Sequence, residues 1–201
     1  YKQLYDANGK IIEEGAPNPV GGNYKATDAF MDMNEDGVIN DKDKYYYHNA
    51  FPDASMGLSN KIIYKNFDFG FNFHANIGNY VFNAVKSGGS NLGANGVYSL
   101  GYFTNKPRSA FETNFIGTST NTFMSDYFIE NGSFLRCDNI TFGYSFRKLF
   151  KVINSGRISA TVQNPFILTN YSGLDPEVFG GIDDSIYPRP VMTVLGLSLN
   201  F

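Results

Sequence analysis

Apolar and polar residues alternate along this chain with a period of two. In residues 67–74 the odd positions Phe67, Phe69, Phe71 and Phe73 are all phenylalanine, and Asp68, Gly70, Asn72 and His74 between them are small or polar. Successive side chains of a strand point to opposite faces, so this run predicts a strand with one wholly aromatic face. The end of the chain repeats the pattern, with Thr193, Leu195, Leu197, Leu199 and Phe201 set against Val194, Gly196, Ser198 and Asn200. Ile140, Phe142, Tyr144 and Phe146 alternate with Thr141, Gly143 and Ser145, and Ile158, Ala160 and Val162 with Arg157, Ser159, Thr161 and Gln163. A fifth, weaker run groups Met56, Leu58, Ile62 and Tyr64.

Such alternation arises in a soluble sandwich, which buries the apolar face on a second sheet, or in a membrane barrel, which turns it to lipid. The polar faces here are mostly Gly, Ser, Thr, Asn and Gln, whereas the exposed face of a soluble sheet carries more Lys and Glu. Burying one Phe side chain is worth about 1.5–3 kcal/mol, so four on one strand must meet a core or lipid. The pattern favours the barrel.

Connection lengths support it. Only Lys65 and Asn66 separate the first two runs, and the link from Arg147 to Gly156 is short. The stretches before Ser55, from Ile77 to Ser133 and from Asn164 to Arg189 are long and rich in Gly, Asn, Ser and Pro. Short and long connections alternate, as between the periplasmic turns and extracellular loops of an up-and-down barrel. The fold class is therefore read as all-β: C-terminal strands of a large antiparallel transmembrane β-barrel with long extracellular loops and a periplasmic C-terminus. Five strands cannot close a wide barrel, and an open edge in lipid leaves backbone groups unpaired. The chain is accordingly read as a fragment that other strands complete.

Composition changes this picture little. The 19 Phe, 14 Tyr and 21 Gly, with no Trp, are what aromatic strands and glycine-rich loops require. No apolar run reaches the ~18 residues of a spanning helix. A formal net charge of -3 argues against nucleic acid, since no basic stripe is present to neutralise phosphates. A single cysteine, Cys137, excludes an intrachain disulfide and a cysteine metal site. Tyr1, Lys2, Gln3, Leu4 and Tyr5 do not resemble a secretion signal, so any such signal is expected upstream.

The second half of the chain carries an ordered series of motifs. Asp126-Tyr127-Phe128-Ile129-Glu130-Asn131-Gly132-Ser133-Phe134-Leu135-Arg136 is followed by Asp138-Asn139-Ile140-Thr141-Phe142-Gly143-Tyr144. Then come Gln163-Asn164-Pro165-Phe166, Tyr171-Ser172-Gly173-Leu174-Asp175-Pro176-Glu177 and Tyr187-Pro188-Arg189-Pro190, with Phe201 at the end. From about Asp32 onward the chain resembles the SusC/RagA family of TonB-dependent outer-membrane transporters, and its motifs lie close to the starch-uptake branch. The resemblance implies energised import of oligosaccharides, or of oligopeptides as the lesser expectation. It implies as partners the remainder of the barrel and its plug, outer-membrane lipid, and a SusD-type surface lipoprotein that caps the barrel. Contact with the TonB complex is implied through an N-terminal part that lies outside this chain. It also suggests that Phe201, besides closing the lipid-facing row, is a signal to the barrel assembly machinery.

One segment has the spacing of a calcium loop. In residues 32–43, oxygen ligands would come from Asp32, Asn34, Asp36, the Val38 carbonyl, Asn40 and Asp43, with Gly37 at the sharp turn and Ile39 as apolar anchor. The twelfth position is Asp43, not Glu, and the shorter carboxylate implies weak binding of roughly 10⁻⁴–10⁻³ M, the range of extracellular modules. Flanking helices are not evident. A structural Ca²⁺ is the expectation, against an Asx-rich turn that needs no metal. The chain is thus divided into residues 1–54, an extracellular loop region with the calcium-type loop at 32–43, and residues 55–201, the barrel strands and loops.

Other residues are set aside. His74 lies on the polar face with no second ligand in view, His48 lies in a loop, and Cys137 is placed opposite both Phe134 and Ile140. Asp183 and Asp184 form a loop pair without apolar surroundings, and Gly88, Gly89, Gly93 and Gly96 lack the strand and basic residue of a phosphate cradle. No nucleophile–base pair or acid–base dyad can be assembled, so an enzyme is not expected. Two alternatives to transport stay open: a barrel that displays binding loops, and a soluble β-protein with a dockerin-like calcium loop.

Overall fold

The computed structural model describes residues 1–89, 98–99, 102–103, 124–149, 152–184 and 186–201. Its strands are β1 (Ala54–Tyr64), β2 (Phe67–Ile77), β3 (Tyr80–Asn83), β4 (Tyr98–Ser99), β5 (Tyr102–Phe103), β6 (Ile129–Asn131), β7 (Phe134–Leu149), β8 (Ile153–Thr169), β9 (Ile182–Asp183) and β10 (Met192–Asn200). Two short helices are α1 (Ala26–Ala29) and α2 (Ala84–Gly89). The chain separates into two compact units, one of Tyr1–Asn49, Val81–Glu130 and Val178–Ser185, the other of Ala50–Tyr80, Asn131–Glu177 and Ile186–Phe201.

The second unit is built on one antiparallel sheet of five strands in the order β1-β2-β7-β8-β10. All five alternating runs are strands of this sheet. Cross-strand partners lie on the same face, so the pairings Ile62↔Phe69, Phe69↔Phe142, Phe142↔Ala160 and Ala160↔Leu195 carry one apolar surface across it. The rings of Phe67 and Tyr144, Phe69 and Phe71, and Phe71 and Phe73 lie 4.9, 5.8 and 5.4 Å apart. Asn60, opposite Phe71, interrupts that surface and makes the β1 pattern weak. Among the described residues no second sheet covers the face: Leu195 is 79% exposed, Leu197 66% and Ile62 54%. A sandwich would have buried them. β1 and β10 are the outer strands, each with one edge open to a further neighbour.

Two details depart from simple alternation. Pairing runs on past Gln163 to Thr169, so β8 extends through Asn164-Pro165, where a long loop is expected to begin. Asn164 has φ +50°, and Asp138 opposite is skipped between the pairs Cys137↔Phe166 and Asn139↔Gln163. This bulge absorbs the proline, which has no N–H to give a ladder. It also shifts parity. Cys137 pairs with Phe73 and Ile140 with Phe71, so the two share the apolar face, contrary to the placement that strict alternation gives. Phe134 pairs with Asn76 and stays on the polar one.

The first unit holds a small core of Ile11 and Phe128, flanked by Phe82 and Tyr127. Gln3, 3% exposed, ties it together: its Nε2 donates to the carbonyls of Leu4, Ile12 and Ala29, and its Oε1 accepts from Ser125. A buried amide is tolerated only when so satisfied. The sheet β6-β3-β9 and the segment of the calcium-type loop belong here.

Candidate functional site

The polar face of the five-stranded sheet is laced by side-chain bonds. Asn72 accepts from Ser59 and donates to Asn139, Thr141 meets Thr161 at 2.9 Å, and Arg157 makes a two-pronged pair with Asp68. That pair lies directly over Gly143, where a Cβ would fall 2.3 Å from Asp68 Oδ1 and 2.5 Å from Arg157 Nη2. The residues Ser59, Lys61, Asp68, Asn72, Thr141 and Arg157 line a polar hollow of about 270 Å³.

Towards the other end of this face, four of the sequence motifs converge. Arg136, on β7 opposite His74, is 4% exposed and pairs with Asp175 at 2.5 Å. Its Nε lies 3.3 Å from Glu177 without hydrogen-bond geometry. Arg189 donates to Glu177 at 2.6 Å and stands 3.6 Å from Asp175. His74 has its Nδ1 2.9 Å from Asp138 and its Nε2 3.4 Å from Glu177, with its ring edge-on to Phe134. The bulge brings Asp138 within reach of His74, and alternation alone gives no hint of that contact. Spacing along the chain also hides the cluster, since its members come from positions 74, 136–138, 175–177 and 189. The ordered motifs are its one sequence trace.

The calcium-type loop is compact. Asp32 accepts from the N–H of Asp36 and of Gly37, Asn34 Oδ1 from Asp36, and Asp36 Oδ1 from Val38. Glu35 and Gly37 take φ +59° and +81°, which the sharp turn requires. Asn40 accepts from Lys42 and caps a 3₁₀ turn at Asp41–Asp43, and its amide donates to the Val38 carbonyl. Asp43 is fully buried, and its two oxygens accept from Met33 and Asn40. All six named residues therefore belong to one turn closed by its own N–H groups. Among the described residues no cluster of three or more His, Cys, Asp or Glu has the arrangement of a metal site. Hydrogen bonds from Asn34 and the Val38 N–H hold the Asp36 carboxyl below its ordinary pKa. In the same unit Tyr45 donates to Asp126 at 2.6 Å, and burial together with that carboxylate pushes its phenol well above 10.

The remaining candidates are quickly placed. Asp183 is buried in β9, not loose in a loop. Gly88 and Gly89 fall in α2, while Gly93 and Gly96 lie outside the described residues. No helix among the described residues is long and apolar enough to cross a membrane.

No family model matches the chain. Full-length proteins do. The whole chain aligns at 45% identity with 19% of the TonB-dependent receptor SusC of Bacteroides thetaiotaomicron, and at 27% with 21% of the TonB-dependent receptor P3 of Formosa agariphila. It therefore spans about a fifth of the relatives it matches. Among solved structures, the RagAB peptide importer in its closed-closed state superposes over the whole chain and 22% of that one, with a TM-score of 0.65 at 20% identity. A RagAB peptide transporter covers 73% of the chain, and 17% of that one, with a TM-score of 0.55 at 25% identity. The uncovered aromatic face, the polar face behind it and these likenesses agree: the chain belongs to the SusC/RagA family of TonB-dependent outer-membrane transporters and forms part of the wall of their β-barrel.

Proposed function

We propose that this chain is wall and loops of an energy-coupled importer of oligomeric nutrients, with its long connections outside the cell and its C-terminus at the periplasm. The single observation that carries the reading is the two-faced sheet: one side fit for lipid, the other a hydrogen-bonded polar surface fit for an aqueous path. Glycans are preferred to peptides as cargo. In support, identity is 45% to SusC but 20–25% to chains of the peptide importer. A SusD-type lipoprotein is the proposed cap, and the rest of the barrel, a plug and TonB the proposed machinery. The test is binding of an oligosaccharide mixture and an oligopeptide mixture to the full-length protein purified in detergent with its lipoprotein. Retention of oligosaccharides supports the reading. Retention of peptides alone overturns the glycan assignment, and retention of neither argues against import.

The loop at 32–43 is proposed to hold Ca²⁺ through Asp32, Asn34, Asp36, the Val38 carbonyl, Asn40 and Asp43. An all-oxygen donor set with paired carboxylates suits a hard cation, and the N–H groups that hold Asp32 and Asp36 leave a second lone pair on each oxygen. Bound there, Ca²⁺ would stiffen the turn. Calorimetry on the full-length protein is expected to show binding near millimolar Ca²⁺, lost in Asp32→Asn. An equal melting temperature in Ca²⁺ and in chelator would remove the site.

A further inference from the structure

We infer that residues 171–177 form a strap across the polar face of the wall, with a fixed root at Arg136 and a releasable clamp at Arg189. Both arginines grip the same two carboxylates, but in different surroundings. The side chains of Arg136 and Asp175 are 5% and 6% exposed, and Asp175 Oδ1 also accepts the N–H of Glu177. Salt hardly screens so enclosed a pair, and removing one partner strands the other charge. The side chains of Arg189 and Glu177 are 42% and 32% exposed, and their bond ties two points twelve residues apart. A pair so open is weak and yields to salt.

Glu177 has somewhere to go. The Arg136 Nε is buried without a hydrogen-bond acceptor, 3.3 Å from the Glu177 carboxylate. A buried donor left so is costly, and a small turn of Glu177 would satisfy it. His74 Nε2 lies 3.4 Å from the same carboxylate on the same face, and its other nitrogen meets Asp138. The strap thus has two arrangements. In one, Glu177 bonds to Arg189 and the 189 segment is clamped. In the other, Glu177 bonds to Arg136 and the 189 segment is loosened, left with the 3.6 Å approach of Arg189 to Asp175 and the Asn164 bond to the Pro190 carbonyl, with the root unchanged. The inference rests on the wall geometry and not on the identity of any cargo.

Hydrogen–deuterium exchange of the full-length protein in detergent tests it, read on peptides covering 171–177 and 186–191. Arg189→Gln, or a rise in NaCl from about 50 to about 500 mM, is expected to speed exchange several-fold in 186–191 and to leave 171–177 unchanged. Arg136→Gln is expected to speed both. If Arg136→Gln fails to assemble, the Arg189→Gln and salt arms decide alone. No change in 186–191 with either would overturn the clamp, and faster exchange in 171–177 with Arg189→Gln would overturn the fixed root.

Discussion

At the scale of single residues, charge and space are closely matched. Gly143 leaves room for the Asp68–Arg157 pair, since any Cβ would fall within 2.3–2.6 Å of their polar atoms. Gly143→Ala should break the pair and lower stability by about 1–3 kcal/mol, the penalty for a charged hydrogen bond lost. Urea unfolding of the full-length barrel in detergent measures it, and the cost should largely vanish when Asp68→Ala, which removes both the pair and the overlap, is already present. Tyr45 makes a second case. Its phenol pKa is raised in the folded state, so its stabilisation is complete below pH 10 and fades as pH climbs towards the raised value. Absorbance titration should therefore show as many tyrosines ionising at about pH 11 in the wild type as in Tyr45→Phe, since the ring removed is one that does not titrate there. Asp36 has the opposite sign: its carboxyl is held low, so its contribution is present above the ordinary value of 3.8 and is lost as pH falls through the lowered one.

At the scale of elements, the five strands were legible because a barrel wall must alternate at every step, and both of its environments are chemically extreme. The Phe67–Phe73 face and the Leu195–Leu199 face need no tertiary information to be found. The bulge at Asp138 was not legible. Asn139 and Asp138 read as ordinary strand residues, and nothing local says that Asn164-Pro165 across the ladder will force one of them out of register. From that miss follow the misplacement of Cys137 and the apparent isolation of His74, whose partner Asp138 is in reach because it bulges. The six residues of the calcium-type loop were legible by spacing and do share one turn, but spacing does not report that their N–H groups close it unaided. Deleting Asp138 should restore strict alternation and leave Phe134 and Arg136 on the polar face, while removing the partner of His74 Nδ1. Assembled barrel, read from the heat-dependent mobility of the full-length protein on gels, should therefore stay close to wild type in the deletion and in Asp138→Asn alike, and a large loss in the deletion would contradict this register.

At the scale of the whole molecule, the proposed function requires that one face of the sheet lie in lipid and the other not. Leu195 and Leu197 alternate with Gly196 and Ser198 along β10, so neighbouring residues answer the question under the same conditions. A charge distinguishes them energetically: Leu197→Lys should cost about 2–4 kcal/mol if it falls near the bilayer middle, and Ser198→Lys close to nothing. The most direct measurement places one fluorophore on a cysteine at Leu197 or at Ser198 in the full-length protein, with Cys137 and every other cysteine of that protein replaced by Ala, and reconstitutes each in liposomes. A lipid-borne quencher should dim the label at 197 and a water-soluble quencher the label at 198. Equal dimming of both by the aqueous quencher would contradict the proposed function, and the apolar face would then need a protein partner to cover it.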